Sequence, residues 1–137
     1  TWCVHSSLLP SFKGIAGEFH ALRFENAPLG STVFEVTPEL DDGPPLSQVM
    51  IKKDLQHSVF HHLLANNAAA GKLLATMVLE TTQTGSCSKT LHNEGLEPSY
   101  FSWPKTAQFE ALSEKKIRLI SLRECLHLIL TTLRLRS

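Results

Sequence analysis

Two different hydrophobic periods occur in this chain, and together they limit its fold more than any other feature of the sequence. The stretch STVFEVT alternates, with Thr32, Phe34 and Val36 on one face, which is the period of a half-buried strand. In residues 122–133, apolar side chains instead recur at the spacing of one helix face. Because 137 residues suffice for one core, both periods belong to a single domain and predict an α+β fold.

The expected architecture is an antiparallel sheet of about four to five strands packed against two or three helices, including a C-terminal amphipathic helix. Strands are predicted at 15–26, 31–37, 47–53, 72–82 and 116–122, with a helix as the open alternative for 72–82. Helices are predicted from Asp54 to residue 66, from Ser102 onward, and after Ser121. The first and last residues of the chain suggest that 1–137 is a single domain cut from a longer protein.

The last helix has the most complete sequence signature. Ser121 and Glu124 have the spacing of a capping box. One stripe carries Leu122, Cys125, Leu126, Ile129, Leu130 and Leu133. The pattern predicts a helix that packs this stripe against the sheet and supports the core.

Composition excludes several classes of protein. A hydrophobic fraction of 42% and a charged fraction of 19% are typical of an ordered globular domain. Apolar runs stay well short of the roughly 20 residues that a membrane-spanning helix needs, so no membrane contact is expected. Three cysteines without CxxC spacing indicate no disulfide framework, and we expect an intracellular protein of the cytoplasm or nucleus.

Three histidines occur within the stretch HSVFHH. On a helical wheel, His57 and His61 lie opposite the leucines, so the simplest interpretation is a solvated helix face. The two are four residues apart and can share a metal. Zinc needs three or four ligands, and Cys87 and His92 are the only distant candidates that the sequence suggests. No metal site and no cofactor are therefore predicted, with these four residues as weak candidates.

A long polar connection, residues 82–103, ends in a group of aromatic residues. Exposed aromatic side chains are typical anchors of protein interfaces, and two leucines also project off the stripe of the last helix. The predicted partner-binding residues are Tyr100, Phe101, Trp103, Leu128 and Leu135. The expected partner is another protein chain or another domain of the same protein.

The charge is unevenly distributed, although its formal sum is zero. Residues 1–104 contain six Lys/Arg and ten Asp/Glu, whereas 105–137 contain seven and three. An alternative function, possible but less favoured, is nucleic-acid binding through the basic segment 115–136. Its candidate residues are Lys115, Lys116, Arg118, Arg123, Arg134 and Arg136.

No catalytic motif is recognisable. There is no G-x-S-x-G elbow, and the acidic residues Glu39, Asp41 and Asp42 lie in a Pro/Gly turn that should be solvated. The sequence therefore predicts a non-catalytic protein–protein interaction or assembly domain of a larger intracellular protein. A small metal-dependent enzyme built on His57 and His61 is a further alternative.

Overall fold

The computed structural model describes residues 1–134, and describes side chains through residue 131. Within that range four helices and five short strands form one mixed α/β unit. Its elements, in chain order, are β1 (Trp2–His5), β2 (Lys13–Gly14), α1 (Gly17–Arg23), β3 (Leu29–Glu35), β4 (Pro45–Ile51), α2 (Val59–Thr84), β5 (Tyr100–Phe101), α3 (Thr106–Glu114) and α4 (Leu122–Arg134).

The main sheet is antiparallel, as expected, but within the described residues it has three strands rather than four or five. Its order is β1-β3-β4, so β3 is central. The central strand includes residues 31–35 of the alternating stretch predicted at 31–37, and its residues 29–34 are buried on both faces. A second, two-stranded sheet pairs β2 with β5 in parallel.

The strand predicted at 15–26 is wrong, because this segment contains helix α1. The helix is buried almost throughout, at Phe19, Ala21 and Leu22 among others. A short helix that is buried on every side shows no clear amphipathic period, so its sequence can look like a buried strand. Gly17 allows the helix to begin against the preceding loop, since a Cβ there would lie 2.5 Å from the Ser6 carbonyl oxygen.

Helix α2 is twice as long as the helix predicted from Asp54 to residue 66. It begins after Ser58, whose hydroxyl accepts the backbone N–H of His61, and it continues to Thr84 before Gly85 ends it at a φ of 74°. The strand predicted at 72–82 is therefore wrong, and the helical alternative is correct. Asn66 does not end the helix. Its side chain is fully buried and donates hydrogen bonds to Glu18 and to the Gly30 carbonyl.

The segment predicted as a strand at 116–122 is an irregular connection. Its carbonyl groups bond to the beginning of α2: Val59 N–H donates to Arg118 at 2.9 Å, and Phe60 N–H donates to Leu119 at 3.0 Å. The first N–H groups of a helix lack partners within the helix. The connection satisfies them, so it cannot use the same carbonyls in a sheet.

The predicted packing of the last helix is also wrong. Helix α4 forms where expected, but Leu122 is 90% exposed and Leu126 and Ile129 are more than half exposed. The interior is instead built from α1, β3 and α3, with Phe19, Leu22, Leu29, Leu112 and Ile117 in its main apolar cluster. Periodicity predicted the helix correctly, but not the surface that it covers. No helix within residues 1–134 has the length and apolar character to cross a membrane.

Candidate functional site

A histidine and a carboxylate meet where β1 and the connection after β3 come together. His5 ends β1 and is 7% exposed. Its Nδ1 lies 3.6 Å from Oδ1 of Asp41, and its Nε2 lies 3.0 Å from the carbonyl oxygen of Phe12. Both neighbours are hydrogen-bond acceptors, so a protonated imidazole can donate to both of them.

The Asp41 carboxylate is held in place by the backbone. Its Oδ2 accepts the N–H of Gly14 at 2.9 Å, and the ion pair between Lys13 and Asp42 joins the same two loops. The Asp41 side chain is only 14% exposed, so the expectation of a solvated turn is wrong for this residue. A fixed carboxylate beside a histidine orients the ring.

Backbone strain is concentrated at this pair. Four non-glycine residues within the described range have positive φ, and three of them are Phe12 (57°), Ala16 (59°) and Asp41 (52°). Such conformations cost free energy for L residues and are found disproportionately at functional sites. Two of the three carry groups that flank the His5 ring. The geometry therefore indicates a functional site at His5 and Asp41.

A small cavity of about 230 Å³ opens beside Asp41. Polar lining comes from Lys13, Asp42 and Asn93, and apolar lining from Leu9. A small polar molecule can approach the carboxylate from this side.

Sequence reasoning did not identify His5. His5 lies far from Asp41 along the chain, and its register opposite Thr32 follows only from the pairing of β1 with β3. Neither residue belongs to a local motif that was recognised, so only the tertiary structure brings them together.

A second titratable cluster joins two of the predicted metal candidates. The rings of His57 and His61 stack with centroids 3.9 Å apart, and Nδ1 of His57 lies 3.2 Å from Oε1 of Glu124. One ligand atom from each of the three residues lies within 4.8 Å of the others. Cys87 and His92 are not part of this cluster.

Glu124 was predicted to cap its own helix, but its carboxylate binds Ser58 at the beginning of α2. The Ser58 N–H donates to Oε1 at 3.2 Å, and the Ser58 hydroxyl donates to Oε2. Desolvation raises the pKa of Glu124, but the hydrogen bonds from Ser58 and His57 outweigh it and hold the pKa below its usual value. The carboxylate is therefore charged at neutral pH.

Neighbouring His62 has a different environment. It is fully buried, with Nδ1 2.8 Å from the Ser58 carbonyl oxygen and Nε2 accepting the N–H of Asp54. Burial, together with the nearby His61 and His57, lowers its pKa. His62 is therefore a neutral residue of the core.

The predicted partner-binding residues do not form one surface. Trp103 is 72% exposed and Tyr100 is 60% exposed, whereas Phe101 stacks on His20 and Phe12. Leu128 lines the cavity beside the His57 cluster, and Leu135 lies outside the described residues. A role for these residues in binding a partner stays a prediction.

The predicted basic residues are also dispersed. The Lys115 ammonium group donates to the carbonyl of Arg23, and Lys116 occupies a turn at a φ of 58°. Two others, Arg118 and Arg123, line the cavity beside His57. The Arg134 side chain and Arg136 lie outside the described part of the chain.

The His5–Asp41 region lies in the part of the chain that is similar to known proteins. The Formyl transferase family model matches residues 2–61, which include both residues. Methionyl-tRNA formyltransferase from Burkholderia mallei is 32% identical over 89 residues, covering 64% of this chain and 27% of that protein. The chain thus spans about a quarter of the length of this curated relative.

Solved structures show the same fold at low sequence identity. A formyltransferase from Anoxybacillus kamchatkensis, solved with a UDP-linked formamido sugar and tetrahydrofolate, superposes with a TM-score of 0.61 at 19% identity, over 74% of this chain and 52% of that one. Phosphoribosylglycinamide formyltransferase from Anaplasma phagocytophilum gives 0.57 at 22% identity, over 76% and 51%.

These matches correct the functional prediction. They point to catalysis of formyl transfer, so the expectation of a non-catalytic interaction domain or nuclear scaffold is wrong. The same matches also overturn the alternatives of a nucleic-acid-binding domain and of a small metal-dependent enzyme. Sequence reasoning did not recognise the pattern that the family model matches over residues 2–61.

Proposed function

We propose that this chain carries part of the catalytic site of a formyltransferase that moves a formyl group from a reduced folate to an amine. The observation that carries the proposal is the His5–Asp41 pair, buried and backbone-anchored within the segment that matches the family model. The similar proteins support both reactant classes, because they include a tetrahydrofolate complex, a formamido sugar, a methionyl-tRNA enzyme and a glycinamide enzyme.

The reaction sets the requirements for the site. The amine nitrogen attacks the formyl carbon, a tetrahedral intermediate forms, and the bond from that carbon to the donor nitrogen breaks. The attacking nitrogen loses a proton and the departing nitrogen gains one. A single group that takes the first proton and gives it to the leaving nitrogen serves both steps, and histidine is the side chain best suited to this near neutral pH.

In this scheme His5 is the proton carrier and Asp41 the positioning residue. The carboxylate faces Nδ1, so it stabilises the imidazolium that forms when Nε2 accepts the amine proton. Nε2 now contacts the Phe12 carbonyl, and it must exchange that contact for the substrate. The strained Phe12 backbone, at a φ of 57°, is suited to a local rearrangement of this kind.

The test is a formyl-transfer assay on the full protein that contains this chain. Formyl-tetrahydrofolate is the donor, and methionyl-tRNA, an amino-sugar nucleotide and glycinamide ribonucleotide are separate acceptors, with the formylated product measured by mass spectrometry. We expect one acceptor to be used and His5→Asn to lower kcat by about 10²- to 10⁴-fold. The control His92→Asn changes an exposed histidine and should not alter the rate. Unchanged activity in His5→Asn would refute the assignment.

A further inference from the structure

The cluster of His57, His61 and Glu124 is separate from the proposed catalytic pair. His57 directly precedes Ser58, the N-cap residue of α2, and His61 lies in the first turn of that helix. Glu124 lies in the first turn of α4. Two imidazoles and one carboxylate are a recurrent ligand set for zinc and similar transition metals.

We propose that these three residues bind one divalent transition-metal ion, which fastens α4 to the beginning of α2. The proposal does not depend on the formyl-transfer reaction. It assigns the ion a structural role, and it leaves at least one coordination position to water.

The distances are suitable for such an ion. In a tetrahedral zinc site with bonds of about 2.0–2.1 Å, neighbouring ligand atoms are about 3.3 Å apart. The separation of His57 Nδ1 from Glu124 Oε1 is 3.2 Å. The whole set lies within 4.8 Å, so the ligand atoms must approach one another by at most about 1.5 Å to close the site.

One rearrangement is required. The two imidazole rings are stacked at 12°, and a nitrogen lone pair lies in the plane of its ring, so the rings must turn apart to point at one ion. The His57 side chain is 44% exposed, which leaves it room to rotate. The cavity of about 510 Å³ beside the cluster provides space for the remaining water ligands.

The electrostatic environment selects the type of metal. Arg118 and Arg123 line the same cavity, and their positive charge opposes a cation held only by electrostatic attraction. Ca²⁺ and Mg²⁺ depend on several oxygen ligands, and the cluster offers one carboxylate. Zn²⁺, Co²⁺ and Ni²⁺ bind imidazole nitrogen well, so the proposal is limited to these.

The packing of α4 gives an independent reason to expect a metal link between α4 and the beginning of α2. Leu122, Leu126 and Ile129 leave much of their surface in water, so apolar burial contributes little to holding this helix. Glu124 provides a polar link to the body of the protein, through Ser58 and His57. A metal ion that shares Glu124 with two α2-side histidines strengthens the same link.

The experiment is a metal titration of the full chain after chelator treatment, without folate or amine. Co²⁺ binding is followed by its visible absorption spectrum, and Zn²⁺ by isothermal titration calorimetry. We expect one site per chain, and a higher melting temperature with Zn²⁺ present. Because losing even an outer-sphere partner costs about tenfold in metal affinity, His61→Ala and Glu124→Gln should each weaken binding at least that much.

Two variants keep the result interpretable. The His61 ring takes no part in the Ser58–Glu124 hydrogen bonds, so His61→Ala removes a ligand without breaking that link. His92→Ala removes an exposed histidine elsewhere and should leave the affinity unchanged. No binding by the original chain, or equal binding by His61→Ala, would overturn the proposal, whatever the outcome of the formyl-transfer assay.

Discussion

The carboxylate of Glu124 accepts the backbone N–H of Ser58 at 3.2 Å, so a residue at the beginning of α4 bonds to the beginning of α2. The N-terminus of a helix carries a partial positive charge and unpaired N–H groups. A carboxylate there is stabilising, and this one is supplied by an element distant in sequence. The contact joins the C-terminal segment to the region that contains the family match.

Replacing Glu124 should therefore destabilise the protein. We expect Glu124→Ala to lower the free energy of unfolding by about 1–3 kcal/mol, the cost of losing charge-assisted hydrogen bonds at a partly buried site. Glu124→Gln should cost less, because its amide oxygen still accepts the Ser58 N–H. Urea denaturation measures both. Glu110→Ala, on the exposed side of α3, is the control, and an equal loss in that variant would contradict the prediction.

Asn66 is the polar centre of the packing between α2 and the sheet. Its Nδ2 donates to Glu18 at 2.9 Å and to the Gly30 carbonyl at 3.1 Å, while its Oδ1 accepts the Ser31 hydroxyl. Asn66→Asp replaces the donor by an oxygen that faces a buried carboxylate. A buried charge left without a partner costs about 3–5 kcal/mol.

The matched comparison for Asn66→Asp is Asn67→Asp, one residue along the helix and exposed. We expect thermal denaturation at pH 7 to show a large loss for the first variant and a change within about 0.5 kcal/mol for the second. Similar melting temperatures for the two variants would show that the Asn66 network does not stabilise the fold.

His20 predicts a pH dependence of stability. It is fully buried, its Nε2 donates to the Ser102 carbonyl and its Nδ1 accepts from Arg23. Burial, with the nearby Arg23 charge, lowers the pKa of His20 below 6.5. Below about pH 6.5 the unfolded chain binds a proton at His20 that the native state does not bind. The stability contributed by neutral His20 is therefore complete above about pH 6.5 and is lost as the pH falls toward the lowered native pKa.

The measurement is the free energy of unfolding from pH 7.5 to 5 for the original chain and for His20→Gln. Glutamine retains a donor toward Ser102 but does not titrate in this range. We expect the original chain to lose more stability than the variant over the acidic part of the range. Parallel curves would contradict the prediction.

Two glycines test how closely the backbone is packed. A Cβ at Gly43 would lie 1.6 Å from the Glu35 carbonyl oxygen, whereas at Gly71 it would meet nothing within 4 Å. Gly43→Ala should therefore destabilise the β3–β4 connection, and with it the Asp41 loop. Gly71 lies exposed in the middle of α2, so Gly71→Ala should stabilise the protein by about 0.5–1 kcal/mol. Denaturation curves should shift in opposite directions, and a shift in the same direction would refute the packing argument.

The acidic pair after β3 allows a matched test of the proposed mechanism. Asp41 faces the His5 ring, whereas Asp42 is 55% exposed and pairs with Lys13. If Asp41 positions the imidazole, Asp41→Asn should lower kcat for formyl transfer by about 10²- to 10⁴-fold and change KM little. Asp42→Asn should retain most of the rate. An equal loss in both variants would mean that the loop as a whole, rather than the Asp41 carboxylate, supports the activity.

The parts of the fold that were predictable are those in which one segment has a clear period. The alternation at 31–37 indicated β3, and the stripe after Ser121 indicated α4. Segment 15–26 was misread because α1 is buried on every side, and the length of α2 was underestimated because Asn66 and Gly71 resemble a helix end. Periodicity reports the average surroundings of a segment, and it is uninformative where the surroundings are uniform.

The sequence by itself determined a mixed α/β chain with a strand near residues 31–37, a helix that begins soon after Asp54 and a helix after Ser121. Only the tertiary structure decided that His5 faces Asp41, that Asn66 is buried, and that Glu124 crosses to Ser58. The physical reason is that local pattern depends on side chains a few residues apart, whereas these contacts depend on how β1 pairs with β3 and how the connection at 118–119 caps α2.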